Sequence, residues 1–455
     1  MVYRYQDWQD GIHNFNDHML LSVHLCLVLR NALQTHTAVS RIIEMIEYTE
    51  GESFPNKDQI LHAYLSFEGL TDHDYLYACV SCGYHPAVAV MDLHKKGVFS
   101  MPVSEIPNPP QNYNGEVNAK SFWESVTMEV ISHGLYPPGC KNPFVVKPTY
   151  HNWSPWIGPQ TRRSDILLNT ESEKICMPDW SSDEDQYLTE ERLVDEVLNL
   201  KLPEIKRLCK QCGIDSRGSK MDLVLRLRDK MASRATYNKV FKKVWGASGG
   251  WAVITCPCGV IYSIKFNLRA ESPRDFADLL LSWKFFPNIT VYDYARGLVR
   301  HMNKRCPKDE PFAIHEGRLL DPTAKNIRQA AEGKLQVSLP WLKHKKEPKE
   351  KGGHPVTGSS QHYCLSDGFH QHNNEDERDI LRQTEIVPEL AGRLNSQCAE
   401  QLFAGMRKNN YFLNMLTPSA HVFLQRNILH HYNVRKNTSK ARPSESSWAS
   451  CSTGS

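Results

Sequence analysis

Long apolar runs are missing from this sequence, and so is a strong excess of one charge. The most apolar stretch, 19–29, contains His24 and is far shorter than the roughly 20 residues that cross a bilayer. The first residues do not follow the layout of a signal peptide. The net charge is only +3, too small to indicate a nucleic-acid partner by itself. These absences predict a soluble intracellular protein without a membrane partner.

Regular cysteine spacing is also missing. The chain has 13 cysteines in 455 residues, an odd number without a repeating interval, which argues against a disulfide framework. Several cysteines instead come in close pairs, which favours reduced thiols. A length of 455 residues predicts two or three domains. Hydrophobic residues make up 40% of the chain, which is enough for these domains to form hydrophobic cores.

Periodicity gives a coarse view of the elements. Helical spacing of apolar residues predicts helices over 15–50, 58–67, 121–132, 275–283 and 380–424, the last broken at Thr417-Pro418. Short apolar runs predict strands over 87–91, 98–101, 251–255, 260–266 and 289–293. Asp92 is expected to end the first of these strands.

The most specific pattern is a predicted pair of helices in a locally basic stretch. Acidic residues dominate 171–196 and basic residues dominate 201–243, which indicates a local electrostatic footprint. Pro203 suits the start of a first helix, and Gly213 suits its end. Ser219, followed three residues later by an acid, predicts the start of a second helix.

The leucine, glycine and lysine spacing of this pair resembles the SAP domain, a DNA-binding helix–loop–helix module common in chromatin proteins. The matching residues are Leu202, Ile205, Lys206, Leu208, Gly213, Ile214, Gly218, Lys220, Leu223, Val224, Arg226 and Leu227. Leu202 stands where the module usually has a capping threonine or serine. The resemblance implies DNA as a partner, chromatin proteins as further partners, and a place in the nucleus.

Elementary electrostatics predicts where DNA would contact the pair. A helix N-terminus has unpaired N–H groups and a partial positive charge, so it receives phosphate well. Contacts of this kind fix the DNA backbone and carry little sequence information. The predicted DNA-binding residues are Lys210, Arg217, Gly218, Ser219, Lys220 and Arg226. The alternatives are an ordinary hairpin with a solvated charged face and a scaffold that docks another protein.

The flanking sequence resembles proteins derived from KDZ-type transposases, in particular the vertebrate group described as HMG domain-containing protein 3-like, although no HMG box is visible. The stretches that carry the resemblance are 63–71, 79–86, 256–259, 269–275, 291–293 and 395–402. It implies a ribonuclease-H-like core with a mixed sheet. With the helices predicted from periodicity and the SAP-like pair, the expected fold is α+β, with an all-helical N-terminal region, this core and an inserted SAP-like module. The expected divisions are 1–78 (helical), 79–185 (first part of the body), 186–235 (SAP-like), 246–435 (remaining body) and 436–455 (disordered tail).

This resemblance also implies the chemistry of DDE enzymes, in which three carboxylates bind two Mg²⁺ ions about 4 Å apart. The candidates are Asp92, Asp293 and Glu400. Helical periodicity over 391–402 turns Glu400 away from the buried stripe. We therefore expect a non-catalytic protein. The alternative is a metal-dependent nuclease or strand transferase, and Mg²⁺ is expected only with that alternative.

A zinc site is a separate possibility. Cys79-x-x-Cys82, followed by a glycine, has the spacing of half a zinc knuckle, and a complete site needs two more ligands. The candidates for these are His73, His85, Cys256 and Cys258. The alternative interpretation is a set of ordinary buried thiols.

Overall fold

The structure is a computed structural model. It describes residues 8, 10–54, 56–94, 110–137, 139–149, 153, 156–164, 166–170, 194, 197–198, 200–233, 236, 240, 243, 250–267, 273–366, 376–392 and 394–441. The strand predicted over 98–101 and the last part of the predicted tail lie outside these residues. No helix among them is long and apolar enough to cross a membrane.

The N-terminal region begins with a short antiparallel hairpin, β1 (Ile12–Asn14) and β2 (Leu20–Ser22). Three helices follow: α1 (Val23–Gln34), α2 (Val39–Glu50) and α3 (Lys57–Leu70). The expectation of an entirely helical N-terminal region is therefore wrong. The chain reverses at Asp17, which has a φ of +62°, and the Asn16 side chain accepts a hydrogen bond from the Met19 amide.

A six-stranded mixed sheet forms the centre of the body. Its strands are β3 (Val88–His94), β5 (Trp156–Ile157), β7 (Gly250–Thr255), β8 (Ile261–Asn267), β9 (Ile289–Val291) and β10 (Tyr363–Leu365), in the order β10-β9-β3-β7-β8-β5. Strand β3 runs parallel to β9 and antiparallel to β7, and β9 runs parallel to β10. The other short strands, β4 (Glu116–Asn118) and β6 (Ile166–Leu168), pair with each other. The expectation of a mixed α+β fold is confirmed.

The first strand of the body is longer than predicted. β3 continues to His94, and Asp92 lies inside it opposite Val253 of β7. Asp92 does not end the strand because its backbone belongs to the ladder with β7. Strand β9, in contrast, ends at Val291, so Asp293 lies two residues beyond it.

The remaining helices surround the sheet or form the inserted hairpin. They are α4 (Ala119–Ser132), α5 (Leu202–Gln211), α6 (Lys220–Met231), α7 (Pro273–Ser282), α8 (Ala295–Arg305), α9 (Ala324–Ala331), α10 (Cys398–Leu413) and α11 (Pro418–Ala441). The helix predicted from 380 begins only at Cys398, because Pro388 and Gly392, whose φ is +67°, break the preceding segment. The tail predicted from 436 is helical to Ala441.

The two faces of the sheet bury different cores. One face carries Val253 and Phe266 and packs against the N-terminal helices, α10 and α11. The other carries Met91 and Tyr262 and packs against α7 and α8. Helices α5 and α6 have a separate core, built from residues between Val197 and Val240. The inserted hairpin is therefore packed largely on itself.

Candidate metal centre

Two tight turns bring four cysteines together. The first turn carries Cys79 and Cys82 and ends at Gly83, whose amide donates to the Cys79 carbonyl at 2.8 Å. Gly83 has a φ of +72°, a left-handed conformation that glycine adopts without strain. The glycine lets the chain close so tightly that both thiols of the turn point to one place.

The second turn joins β7 to β8 and repeats this design. It carries Cys256 and Cys258, and the Gly259 amide donates to the Cys256 carbonyl at 2.8 Å. Gly259 has a φ of +77°. Each turn therefore offers two thiols from a compact loop closed by a left-handed glycine.

The four sulfur atoms lie within 4.8 Å of one another, and Cys82 Sγ is 3.8 Å from Cys258 Sγ. A tetrahedral zinc ion with Zn–S bonds of about 2.3 Å places its sulfur ligands about 3.8 Å apart. Cys79 and Cys256 are buried, whereas Cys82 and Cys258 are partly exposed. The arrangement fits a closed site with four thiolates, the composition typical of structural zinc.

The thiols influence one another electrostatically. Hydrogen bonding to the Cys256 sulfur lowers the pKa of Cys258 to about 6 and also lowers the pKa of Cys79. The pKa of Cys256 is raised, first by its hydrogen bonds to Cys258 and Cys79. Four thiols this close cannot all ionise without a compensating cation, and a divalent metal ion supplies that charge.

The hydroxyl of Tyr262 in β8 holds the first cysteine turn in place through two hydrogen bonds. It accepts a hydrogen bond from the Cys79 amide at 3.0 Å and donates one to the Gly83 carbonyl. Because Tyr262 lies four residues after Cys258, the strand that follows the second turn positions the first.

Helix α11 contacts both cysteine turns through two asparagine side chains. Asn433 accepts a hydrogen bond from the Ile261 amide and donates one to the Ile261 carbonyl, beside the second turn. One helical turn later, Asn437 accepts from the Val80 amide and donates to the Ala78 carbonyl, in the first turn. A hydrogen bond with Cys258 raises the pKa of Lys440, so this helix also brings a positive charge to the thiols.

Of the proposed partners of Cys79 and Cys82, the structure therefore places Cys256 and Cys258 beside them. His85 packs its ring edge-on against Phe285. His73 lies in a different group, with Glu68 and His431. The signal in the sequence was the Cys79-x-x-Cys82 spacing with the glycine that follows it. Tyr262, Asn433 and Asn437 gave no signal, because they bind backbone groups of distant segments.

The three predicted carboxylates are not gathered in the same way. Val90 and Val291 are paired on the parallel strands β3 and β9, so Asp92 and Asp293 each follow that pair by two residues. Glu400 is exposed in the first turn of α10, whose buried residues include Ala399, Leu402 and Phe403. Among the described residues, neither group of three or more clustered metal-binding side chains contains these acids.

The predicted DNA-binding residues are all exposed on the α5–α6 hairpin. They are Lys210, Arg217, Gly218, Ser219, Lys220 and Arg226. Ser219 caps α6, since its hydroxyl accepts from the Asp222 amide at 3.3 Å and the Ser219 amide donates to the Asp222 carboxylate at 2.9 Å. This cap places the carboxylate of Asp222 at the helix start, against the amide and hydroxyl of Ser219.

Arg226 has a structural task in addition to its charge. Its guanidinium donates to the carbonyls of Asp215 and Arg217, at 3.2 and 2.6 Å. These bonds fold the loop between the helices onto α6. The loop that Arg226 holds carries Arg217, and α6 begins at Lys220 three residues later. These two cations therefore lie close in the sequence, on a backbone that hydrogen bonds hold in place.

Two comparisons with known proteins bear on the origin of the chain. Residues 2–67 match a family described as "CxC4 like cysteine cluster associated with KDZ transposases", although Cys26 is the only cysteine in that segment. The human protein "HMG domain-containing protein 3" is 24% identical over 416 residues, 86% of this chain and 31% of that protein. The chain thus spans about a third of this relative's length. No solved structure matches this chain. The N-terminal segment is therefore similar to a region that accompanies KDZ transposases.

Proposed function

We propose that the chain is a non-catalytic, transposase-derived DNA-binding protein of the nucleus, whose body is held together by a structural zinc ion. The observation that carries DNA binding is the exposed basic start of α6, where Arg217 and Lys220 flank a capped helix N-terminus. Phosphate is the ligand that such a site favours. The hairpin's resemblance to the SAP module supports the same partner.

The zinc part of the proposal rests on the sulfur geometry. Cys79, Cys82, Cys256 and Cys258 form a closed set, so no ligand position remains for a substrate, and zinc in such a set has a structural role. It would connect the segment before β3 to the β7–β8 turn. The ion would therefore fix the end of the sheet at which β3 begins and β7 turns into β8, rather than carry out a reaction.

The transposase-related origin of the chain is supported by the sequence of its N-terminal region and by the topology of its body. The match over residues 2–67 is to a region associated with KDZ transposases. The mixed sheet, with β3 parallel to β9 and antiparallel to β7, is compatible with the proposed ribonuclease-H-like core. The similarity to the human relative, which is 24% identical over 416 residues, supports a common ancestry of the two chains.

The absence of catalysis is proposed because the third carboxylate is misplaced. Glu400 is exposed on the side of α10 away from its buried residues, and a two-metal site needs converging carboxylates. The enzyme alternative is favoured by one observation: Asp92 in β3 and Asp293 just beyond β9 each follow the paired residues Val90 and Val291 of these parallel strands by two positions. Incubation with labelled DNA and Mn²⁺ separates the two. Efficient cleavage by the wild type that Asp293→Asn abolishes would establish the enzyme.

DNA binding is tested on the full chain by fluorescence anisotropy with duplexes of unrelated sequence. The Arg217→Ala/Lys220→Ala variant should bind all of them more weakly, with a salt slope reduced by about 2, since each phosphate contact contributes about 1. The control is Lys334→Ala/Lys345→Ala, which removes two exposed lysines of the body. Equal affinity of both variants and the wild type at low salt would refute the proposed interface.

The hairpin also offers a surface for the scaffold alternative. Met221 and Leu225 are exposed one turn apart on α6, with 53% and 39% of their surfaces accessible. They give a chromatin protein an apolar contact beside the basic loop. If Met221→Ser/Leu225→Ser leaves DNA affinity intact but abolishes association with nucleosomal proteins, the scaffold role is added to DNA binding.

A further inference from the structure

A second group of metal-binding side chains lies away from the cysteines, between the N-terminal helices and α11. Glu68 belongs to the last turns of α3, His73 follows α3, and His431 belongs to α11. One ligand atom from each lies within 4.8 Å of the other two. Residues more than 350 positions apart therefore supply two imidazoles and one carboxylate to one place.

The carboxylate of Glu68 is oriented by its neighbours. It is 1% exposed, and Arg30 donates to both of its oxygens, at 2.8 and 3.1 Å. His73 Nε2 lies 2.7 Å from the Glu68 oxygen Oε2. Metal-binding carboxylates are commonly held by such outer hydrogen bonds, which fix the oxygen that faces the ion.

His431 is the unsatisfied member of the group. Its Nε2 is buried and has no hydrogen-bond partner in the described structure, although a buried polar atom without a partner costs about 1–3 kcal/mol. The ring of His431 meets the ring of His73 edge-on, with centroids 5.2 Å apart. A cation between the three side chains would satisfy this nitrogen.

We propose that Glu68, His73 and His431 form a second metal site, which binds a borderline divalent cation such as Zn²⁺. Two imidazoles and a carboxylate are the ligands that zinc takes in sites with an open fourth position. The site differs from the cysteine centre in ligand class, and the positive charge of Arg30 beside it weakens cation binding. Its ion should therefore leave first when a chelator is added.

The site also has a structural consequence. His431 precedes Asn433 on the same helix, so the second ion would tie α11 to α3 while the cysteine centre contacts α11 through Asn433 and Asn437. The two ions would act on successive turns of one helix.

The test counts metal ions in the full chain. The wild type, equilibrated with Zn²⁺ and desalted, should contain two zinc ions per chain by elemental analysis, and His431→Gln should contain one. His62→Ala, which alters another half-buried histidine that stacks on His133, should still contain two. One ion in both wild type and His431→Gln would overturn the proposal.

Cobalt spectroscopy identifies which ion is lost and whether the variant is folded. After a mild chelator removes the weaker ion, added Co²⁺ should bind to the wild type at one equivalent and give no thiolate charge-transfer absorption. His431→Gln should bind no Co²⁺ under these conditions and keep its one tightly bound zinc, which shows that the cysteine centre is intact. Equal Co²⁺ binding by the wild type and His431→Gln would also overturn the proposal.

Discussion

The α5–α6 hairpin and the cysteine centre both join two chain segments, but they use opposite means. The hairpin joins neighbours: Leu208 and Leu223 belong to one small apolar core that is separate from the cores of the body. The cysteine centre brings together two turns whose residues Cys82 and Cys258 are 176 positions apart. The groups that meet there are four cysteine sulfur atoms. The stability of the hairpin should therefore depend on apolar burial, and that of the body on a bound ion.

The largest effect is expected at the cysteine centre. Cys79→Ser removes a thiolate ligand and should release the tightly bound zinc. Structural zinc contributes about 10–16 kcal/mol to the folding of small zinc domains, so the body should lose cooperative unfolding in calorimetry. Cys140→Ser, which changes an exposed cysteine, is the control and should leave the transition unchanged. The α5–α6 amides should remain protected from hydrogen exchange in both variants. Loss of this protection in Cys79→Ser would show that the hairpin depends on the cysteine centre for its stability.

A buried ion network in the body comes next. Asp278 receives hydrogen bonds from Lys265 at 3.2 Å and Arg305 at 2.8 Å. Asp278→Asn leaves Lys265 with reduced compensation, and breaking a buried ion pair costs about 3–5 kcal/mol. The exposed Asp229→Asn on the hairpin should change the free energy of unfolding very little.

The same network gives a pH dependence. Burial opposes ionisation of Asp278, but the charges of Lys265 and Arg305 outweigh it and lower its pKa. A lowered pKa stabilises the fold above the unfolded value of about 3.9, and this stabilisation disappears as the pH falls through the folded value. The difference between wild type and Asp278→Asn in chemical denaturation should therefore shrink below about pH 4. A constant difference down to pH 2 would contradict the assignment.

The hairpin core should give a smaller and local effect. Leu227 is fully buried between α5 and α6, and truncation of a buried leucine costs about 2–5 kcal/mol. Leu227→Ala should accelerate hydrogen exchange in α5 and α6 while the β7–β8 amides keep their protection. Leu225→Ala, at an exposed position two residues earlier, is the matched control. Exchange that increases across the sheet as well would show that hairpin and body unfold together.

The smallest expected change is at the helix cap. Ser219→Ala removes the hydroxyl that accepts from the Asp222 amide, which costs about 1 kcal/mol. Ser219→Thr keeps an acceptor oxygen and should recover most of the loss. Faster exchange confined to the first turn of α6 is the expected result, and an unchanged rate would mean that the cap adds nothing to the hairpin.

The contrast also explains which features could be predicted from the sequence. The hairpin was readable because its helix starts, glycines and apolar stripes lie within some thirty residues, and the structure begins α5 at Leu202, one residue before Pro203. Asp92 was misplaced because the length of β3 depends on its pairing with β7. The four-cysteine set could be suspected but not assigned, since only the sheet brings the β7–β8 turn to Cys82.

Helix α11 has a consequence for how the protein is made on the ribosome. Chain growth at about 5–20 residues per second separates the synthesis of Cys82 and Cys258, 176 positions apart, by roughly 10–35 s. Asn437, which binds the first cysteine turn, emerges still later. During that interval the first pair of thiols is exposed to oxidants and competing metals, while the α5–α6 hairpin can already fold from its own residues. The body would thus be the last part to mature, and its yield in cells should depend on the zinc available while the chain is being synthesised.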